Sequence, residues 1–321
     1  MAVMMDRRAL LTSGVAAGVA ALGGMEGNAA AASRKRRSKD EPFGYCLNTS
    51  TLSGQKLPIT EVVDIAAKAG YEALEPWIRD LDDHVKAGKS LADLGKQIAD
   101  RGMTVESAIG FAGWIVDDPA KRKEALEQSK REMEMVKQIG GKRVAAPPVG
   151  ATDRTDMDLL VIASRYRDLL EVGRQVGVVP QLEVWGFSKT LNRLGAAAMV
   201  AIEAGHPDAC ILADIYHLYK GGSGYGGLKL LAGDSMHVLH VNDFPANPPR
   251  ETISDAQRVY PGDGTAPLDQ IFRDLNAMGY QGYLSLELFN REYWKQDAFQ
   301  VAKTGLEKTR SAVRKALKGA P

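Results

Sequence analysis

The tightest constraint on this chain is a junction that keeps returning along it: a run with helical periodicity ends at glycine, and a short β-rich segment follows within a few residues. It occurs at Gly70 before 71–75, Gly102 before 103–106, Gly140-Gly141 before 142–144, Gly177 before Val178, Gly205 before 209–212 and Gly279 before 283–286. Glycine accepts the left-handed conformation that ends a helix, so each junction reads as helix stop followed by strand. An opening strand near 43–47 and another at 236–241 bring the strands to about eight. Helical periodicity covers roughly 59–69, 118–139, 155–175, 189–204, 267–278 and 297–317. Strands alternating with helices imply a parallel sheet, and eight units favour closure. The expected fold class is α/β, a single (β/α)8 barrel. An open doubly wound sheet is disfavoured because no G-x-G-x-x-G turn follows the first strand. The glycine run at Gly221, Gly222, Gly224, Gly226 and Gly227 falls on a later loop and reads as a flexible connection.

Such a barrel takes about 250 residues, so 321 residues leave room for an N-terminal extension. Residues 1–39 differ in composition from the rest. Asp6-Arg7-Arg8 precedes a Gly/Ala-rich apolar run to Gly24, and small residues fill 29–32. Charged start, apolar centre and small-residue end are the order of an export signal. The paired arginines resemble the twin-arginine type, which implies the twin-arginine export machinery as a partner and a periplasmic or otherwise exported location. The apolar run is shorter than the ~20 residues of a spanning helix, so no stable membrane insertion is expected. The boundaries read as 1–32 export signal, 33–41 basic linker and 42–321 barrel domain.

The basic stretch from Arg34 to Lys39 reads as a solvated linker rather than a nucleic-acid patch. Residues 1–39 carry seven Lys/Arg against two acids, a surplus of five on a chain of formal charge +1, so the remainder stands at −4. An acidic domain is a poor partner for a phosphate backbone, and no nucleic acid is expected. Cys46 and Cys210 are too few for a disulfide framework and read as buried thiols.

Strand parity points to chemistry, because side chains alternate between the barrel interior and the helix layer. In 284–288 the leucines claim the helix side, so Glu287 points inward. Leu239 and Val241 likewise leave His240 inward, and the same count turns Glu183 and Asp214 inward and His237 outward. Four consecutive strands thus each deliver a metal-capable group at the end where barrel enzymes build their sites. Three carboxylates converging there would repel one another, and a dication offsets that charge. One divalent metal is therefore expected on Glu183, Asp214, His240 and Glu287. Oxygen ligands with one imidazole suit Mn2+ first, with Mg2+, Co2+ or Zn2+ as alternatives.

Glu183, the run Asp-Ile-Tyr-His at 214–217, His-Val-Asn-Asp at 240–243 and Glu287 together resemble the xylose-isomerase-like TIM-barrel superfamily, over nearly all of the chain after residue 40. Within it, the pattern is similar to the sugar phosphate isomerase/epimerase group. The resemblance implies that the Glu-Asp-His-Glu set holds the metal, and that the substrate is a small carbohydrate whose adjacent carbonyl and hydroxyl oxygens bind that ion. It also makes His217 a substrate-binding histidine.

Metal coordination would acidify a neighbouring C–H and stabilise an enediolate. Glu183 and Glu287, from strands five and eight, are the two catalytic acid/base groups, one to take a proton and one to return it. The expected function is a metal-dependent sugar or keto-sugar isomerase/epimerase. Asp243 is placed to orient a metal ligand or bind substrate, and Arg250 and Arg258 are equivalent candidates for binding substrate oxygens. Glu75 adds an inward hydrogen bond to substrate, with Trp77 and Trp185 as apolar walls. The main alternative is a dehydratase or lyase on a keto-sugar or inosose using the same site. A nuclease like the three-zinc branch of the superfamily is disfavoured by only five histidines. An exported sugar-binding protein is disfavoured by retention of both glutamates. The sequence is compatible with a homo-oligomer and does not specify one.

Overall fold

The computed structural model describes residues 37–38 and 41–318; the expected export signal lies outside them. Eight strands run through the described chain: β1 (Gly44–Asn48), β2 (Ala73–Glu75), β3 (Thr104–Val105), β4 (Arg143–Ala146), β5 (Val179–Glu183), β6 (Ile211–Asp214), β7 (Met236–Val241) and β8 (Tyr283–Leu286). Every pairing is parallel, in the order β3-β2-β1-β8-β7-β6-β5-β4. The two ends of that order meet at a seam just beyond β3, where Ala145 N–H donates to the Ala108 carbonyl at 2.8 Å. The result is the expected (β/α)8 TIM barrel.

Among the described residues nine helices surround the sheet: α1 (Ile59–Ala69), α2 (Ile78–Lys86), α3 (Leu91–Asp100), α4 (Pro119–Gln138), α5 (Leu159–Val176), α6 (Leu194–Glu203), α7 (Ile215–Lys220), α8 (Leu268–Ala277) and α9 (Ala298–Leu317). The six expected helices are α1, α4, α5, α6, α8 and α9. The short α7 and the pair between β2 and β3 were not expected, and the pair is built around one glycine. Its two short helices are separated by Gly88 at φ 76°. Helix starts follow acidic caps: Asp118 accepts from Ala120 N–H ahead of Pro119, and Asp158 accepts from Leu160 N–H. The expected glycine stops hold. At Gly70, with φ 97°, the N–H reaches back to the Ala66 carbonyl before the chain turns into β2.

Two apolar layers result. Leu182, Val184, Ala213, Ile215, Leu239, Val241, Leu284 and Leu286 join the core between sheet and helices. Inside the barrel Ile109, Ala145, Leu212 and Val238 form a separate plug, with Trp77 packed on it. Burying one such leucine stabilises by roughly 1.5–3 kcal/mol. A one-residue slip of β8 would turn Leu284 and Leu286 into the barrel and Glu287 into the apolar layer, so this core fixes which way the acids point. Cys46 and Cys210 are free and buried, as expected. Arg37, read as a solvated linker residue, instead lies on the barrel: its Nη1 donates to the Gln281 carbonyl at 2.9 Å and its guanidinium covers the Tyr283 ring.

Candidate metal centre at the barrel mouth

Register sets the site. Asp214, the last residue of β6, stands beside His240 of β7; His240 stands beside Ser285 of β8, two residues before Glu287. One ligand atom from each of Asp214, His240 and Glu287 can be chosen so that all lie within 4.8 Å of one another. All three residues are buried.

Each carboxylate divides its oxygens. Asp214 Oδ1 accepts from the His217 backbone N–H at 2.9 Å and from Asn242 Nδ2 at 3.2 Å, leaving Oδ2 toward the centre. Glu287 Oε1 accepts from Asn48 Nδ2 at 3.2 Å, leaving Oε2 toward the centre. His240 Nδ1 sits 3.5 Å from Asp214 Oδ2 and 3.3 Å from Glu287 Oε2. Both contacts are close enough for an ion pair, yet neither has the direction of a hydrogen bond, nor has the 3.0 Å contact of Nε2 with Glu75 Oε2, so both buried ring nitrogens are left without a hydrogen-bonded partner. A ring nitrogen facing two carboxylate oxygens without a hydrogen bond fits a divalent cation, and the donor set is of the right type.

Arg258 resolves the choice between the two arginines. It is buried, and its Nη1 donates at 2.9 Å to both Asp214 Oδ2 and Glu287 Oε2, while Nη2 lies 3.2 Å from His217 Nε2 and donates to Asp255. Arg250 lies on the surface beside Glu251. A guanidinium only donates, so His217 Nε2 must accept. His217 is then neutral with its proton on Nδ1, an atom without a bonded partner. Burial agrees, holding the His217 pKa down at about 4.

Glu183 is buried but stands outside the triad of closely grouped ligand atoms. Burial pushes its carboxyl up to about 8, with the charges of Glu287, Asp214 and Glu75 adding to the rise and His240 opposing it. Burial works against charge at His240 too, but Glu287 and Glu75 outweigh it and raise its pKa well above the usual range. At Asp214 burial is outweighed by the Arg258 guanidinium, and the pKa falls well below that of an ordinary carboxyl.

Among the other expected residues, Asp243 faces away from the centre into the loop that follows, where it accepts from the backbone N–H groups of Phe244, Gly262, Gly264 and Ala266. Glu75 is fully buried against His240 Nε2. Trp77 and Trp185 join Phe111 and Phe289 in a rim of rings: Trp77 lies 5.2 Å from Phe111 and 5.8 Å from Phe289, and Trp185 lies 6.5 Å from both Phe111 and His217. Sequence reasoning missed Asn48, Asn242, Ser285 and Phe111. Parity extended to β1 and β8 would have turned Asn48 and Ser285 inward, whereas an asparagine such as Asn242 just past a strand reads only as a turn.

Fold and site together define a (β/α)8 barrel with a carboxylate–histidine centre at its C-terminal mouth. Residues 63–312 match the family model described as xylose isomerase-like TIM barrel, and the chain belongs to that family. It is 26% identical over 278 residues to an inosose isomerase of Bacillus velezensis, covering 84% of this chain and 97% of that one. It is 26% identical over 214 residues to the 3-dehydro-D-guloside 4-epimerase of Escherichia coli strain K12, covering 62% and 77%. Among solved structures, the IOLI protein with a bound zinc atom superposes with a TM-score of 0.78 at 24% identity, covering 85% of this chain and 99% of that one.

Proposed function

We propose that the protein is a divalent-metal-dependent isomerase or epimerase of a sugar or keto-sugar, working by proton transfer through an enediolate. The observation that carries this reading is the division of labour at the centre, where Asp214 and Glu287 each tie one oxygen to the protein and present the other to His240 Nδ1. Asp214, His240 and Glu287, with Glu183 beside them, would hold the ion. When bound, such an ion supplies Lewis acidity toward adjacent carbonyl and hydroxyl oxygens. Mn2+ is the ion we test first, and Zn2+, the metal of the IOLI protein, is the first comparison.

The chain's own groups do the rest. Glu183 on β5 and Glu287 after β8 reach the mouth from strands three places apart in the sheet, so one can take a proton and the other return it. A carboxyl lifted to about 8 is poised near neutrality for either role. The His217 Nδ1 proton is available to a substrate oxygen, and Arg258 bridges Asp214 and Glu287 beside it. The aromatic rim offers ring faces to sugar C–H groups. The family's inosose isomerase and 4-epimerase support this class of substrate.

The test is incubation of the metal-loaded protein with keto-sugars in deuterated water. Deuterium incorporated with the substrate's composition retained supports isomerisation or epimerisation, whereas loss of water or of an aglycone assigns a lyase. No exchange with any dication across a broad panel defeats both. We also propose export through the twin-arginine machinery on the strength of Arg7 and Arg8. Replacing both with lysine should leave the chain in the cytoplasm, and unchanged export would remove this part of the proposal.

A further inference from the structure

The histidine of the centre has two faces, and only one of them looks toward the other ligands. His240 Nδ1 faces Asp214 Oδ2 and Glu287 Oε2, while Nε2 lies 3.0 Å from Glu75 Oε2 on the other side of the ring. Glu75 is therefore not one of the clustered ligand groups. It is also fully buried, behind His240.

Its position is fixed from the two strands that separate β2 from β7 in the sheet. Ser285 of β8 donates its hydroxyl to Glu75 Oε2 at 2.6 Å, and Asn48 of β1 donates its Nδ2 to the same oxygen at 2.9 Å. The amide of Asn48 cannot be flipped, because its Oδ1 already accepts from Trp77 Nε1 and from the Ser50 backbone N–H. One carboxylate oxygen is thus held by two donors and presented to the imidazole. A ring nitrogen that ligates a cation carries no hydrogen, so with Nδ1 turned to the ion the neutral ring keeps its proton on Nε2, the nitrogen that faces the Glu75 carboxylate. An imidazole protonated at Nε2 and otherwise neutral has its lone pair on Nδ1, the face turned to Asp214 and Glu287.

We infer that Glu75 is a positioning residue for the metal: it keeps the ring proton of His240 on Nε2, sets the ring's orientation and leaves Nδ1 as the ligating atom. This rests on the metal-dependent reading above and assigns Glu75 a role different from substrate contact. Carboxylates behind a ligating histidine orient the ring and raise its basicity, and their loss typically costs about 10- to 100-fold in metal affinity.

The experiment is calorimetric titration of the metal-stripped full chain with Mn2+ alone and with Zn2+ alone, for the wild type, Glu75→Gln and Ser285→Ala. We expect Glu75→Gln to weaken binding by about 10- to 100-fold, and Ser285→Ala, which frees the oxygen from one of its donors, to weaken it by a smaller factor. Nitrogen-15 NMR of His240 in the metal-loaded wild type should show the proton on Nε2. If Glu75→Gln fails to fold, Ser285→Ala and the NMR measurement still decide. Wild-type affinity in Glu75→Gln together with a raised KM would overturn the inference in favour of substrate contact, and so would a proton on Nδ1. Should the wild type bind neither ion, the metal-dependent reading itself falls, an outcome distinct from loss of this inference alone.

Discussion

Among single residues, the contrast between Glu183 and Glu132 separates a carboxyl proposed to move protons from a merely buried one. Both are pushed upward by burial, but only Glu183 shares its surroundings with Asp214, His240 and Glu287. Glu183→Gln keeps the shape and removes the exchangeable charge, so turnover should fall by about 10²- to 10⁴-fold, read as the rate of deuterium exchange into substrate. Glu132 on α4 is held by Gln128 Nε2 at 2.7 Å in mostly apolar surroundings. Because its folded-state pKa is raised, the native protein binds this proton more tightly than the unfolded chain does. Its contribution to stability is therefore greatest in acid, below about pH 4, and declines as the pH rises through the raised value. Glu132→Gln should match the wild type in urea unfolding at low pH and exceed it at neutral pH; the same difference at both would refute the assignment.

Among elements, the loop after β7 shows what one side chain can organise. The Asp243 carboxylate collects four backbone N–H groups, three of them from 262–266. Asp243→Ala should cost roughly 2–4 kcal/mol, since hydrogen bonds to a charged acceptor are worth roughly 1.5–3 kcal/mol each and the freed donors recover water. Amide exchange at Gly262, Gly264 and Ala266 should quicken more than elsewhere. The glycine stops made six helices and most strands legible in the sequence, because that signal is local. Helices α2 and α3 were not, being short and closely spaced around Gly88. At the site, parity found the inward acids and His240 because leucines on the opposite face fix it. It could not choose Arg258 over Arg250, since both lie on a loop where no alternation applies and only burial distinguishes them.

For the molecule as a whole, ligand binding and folding are linked, because the centre joins β6, β7 and the end of β8 and exists only when the barrel is assembled. A dication at about 100 times its dissociation constant should raise the unfolding free energy by about 2.7 kcal/mol, seen as a higher melting temperature that a chelator reverses. No shift with Mn2+, Mg2+, Co2+ or Zn2+ would count against the centre. Among the described residues no helix is long and apolar enough to cross a membrane.

The seam between β3 and β4 bears on how such a barrel yields. Beyond Ala145 N–H to Ala108, the circle is bridged there by side chains alone, Gln181 Nε2 donating to Ser107 Oγ at 3.0 Å and Arg143 Nη1 to Glu106 Oε2 at 3.3 Å. His240 sits on β7, three places from β4 and four from β3, nearly the far side of the ring. A cylinder with one slack stave can open and reclose at that stave while the opposite arc keeps its spacing, so thermal breathing would be absorbed where no ion-binding group is carried.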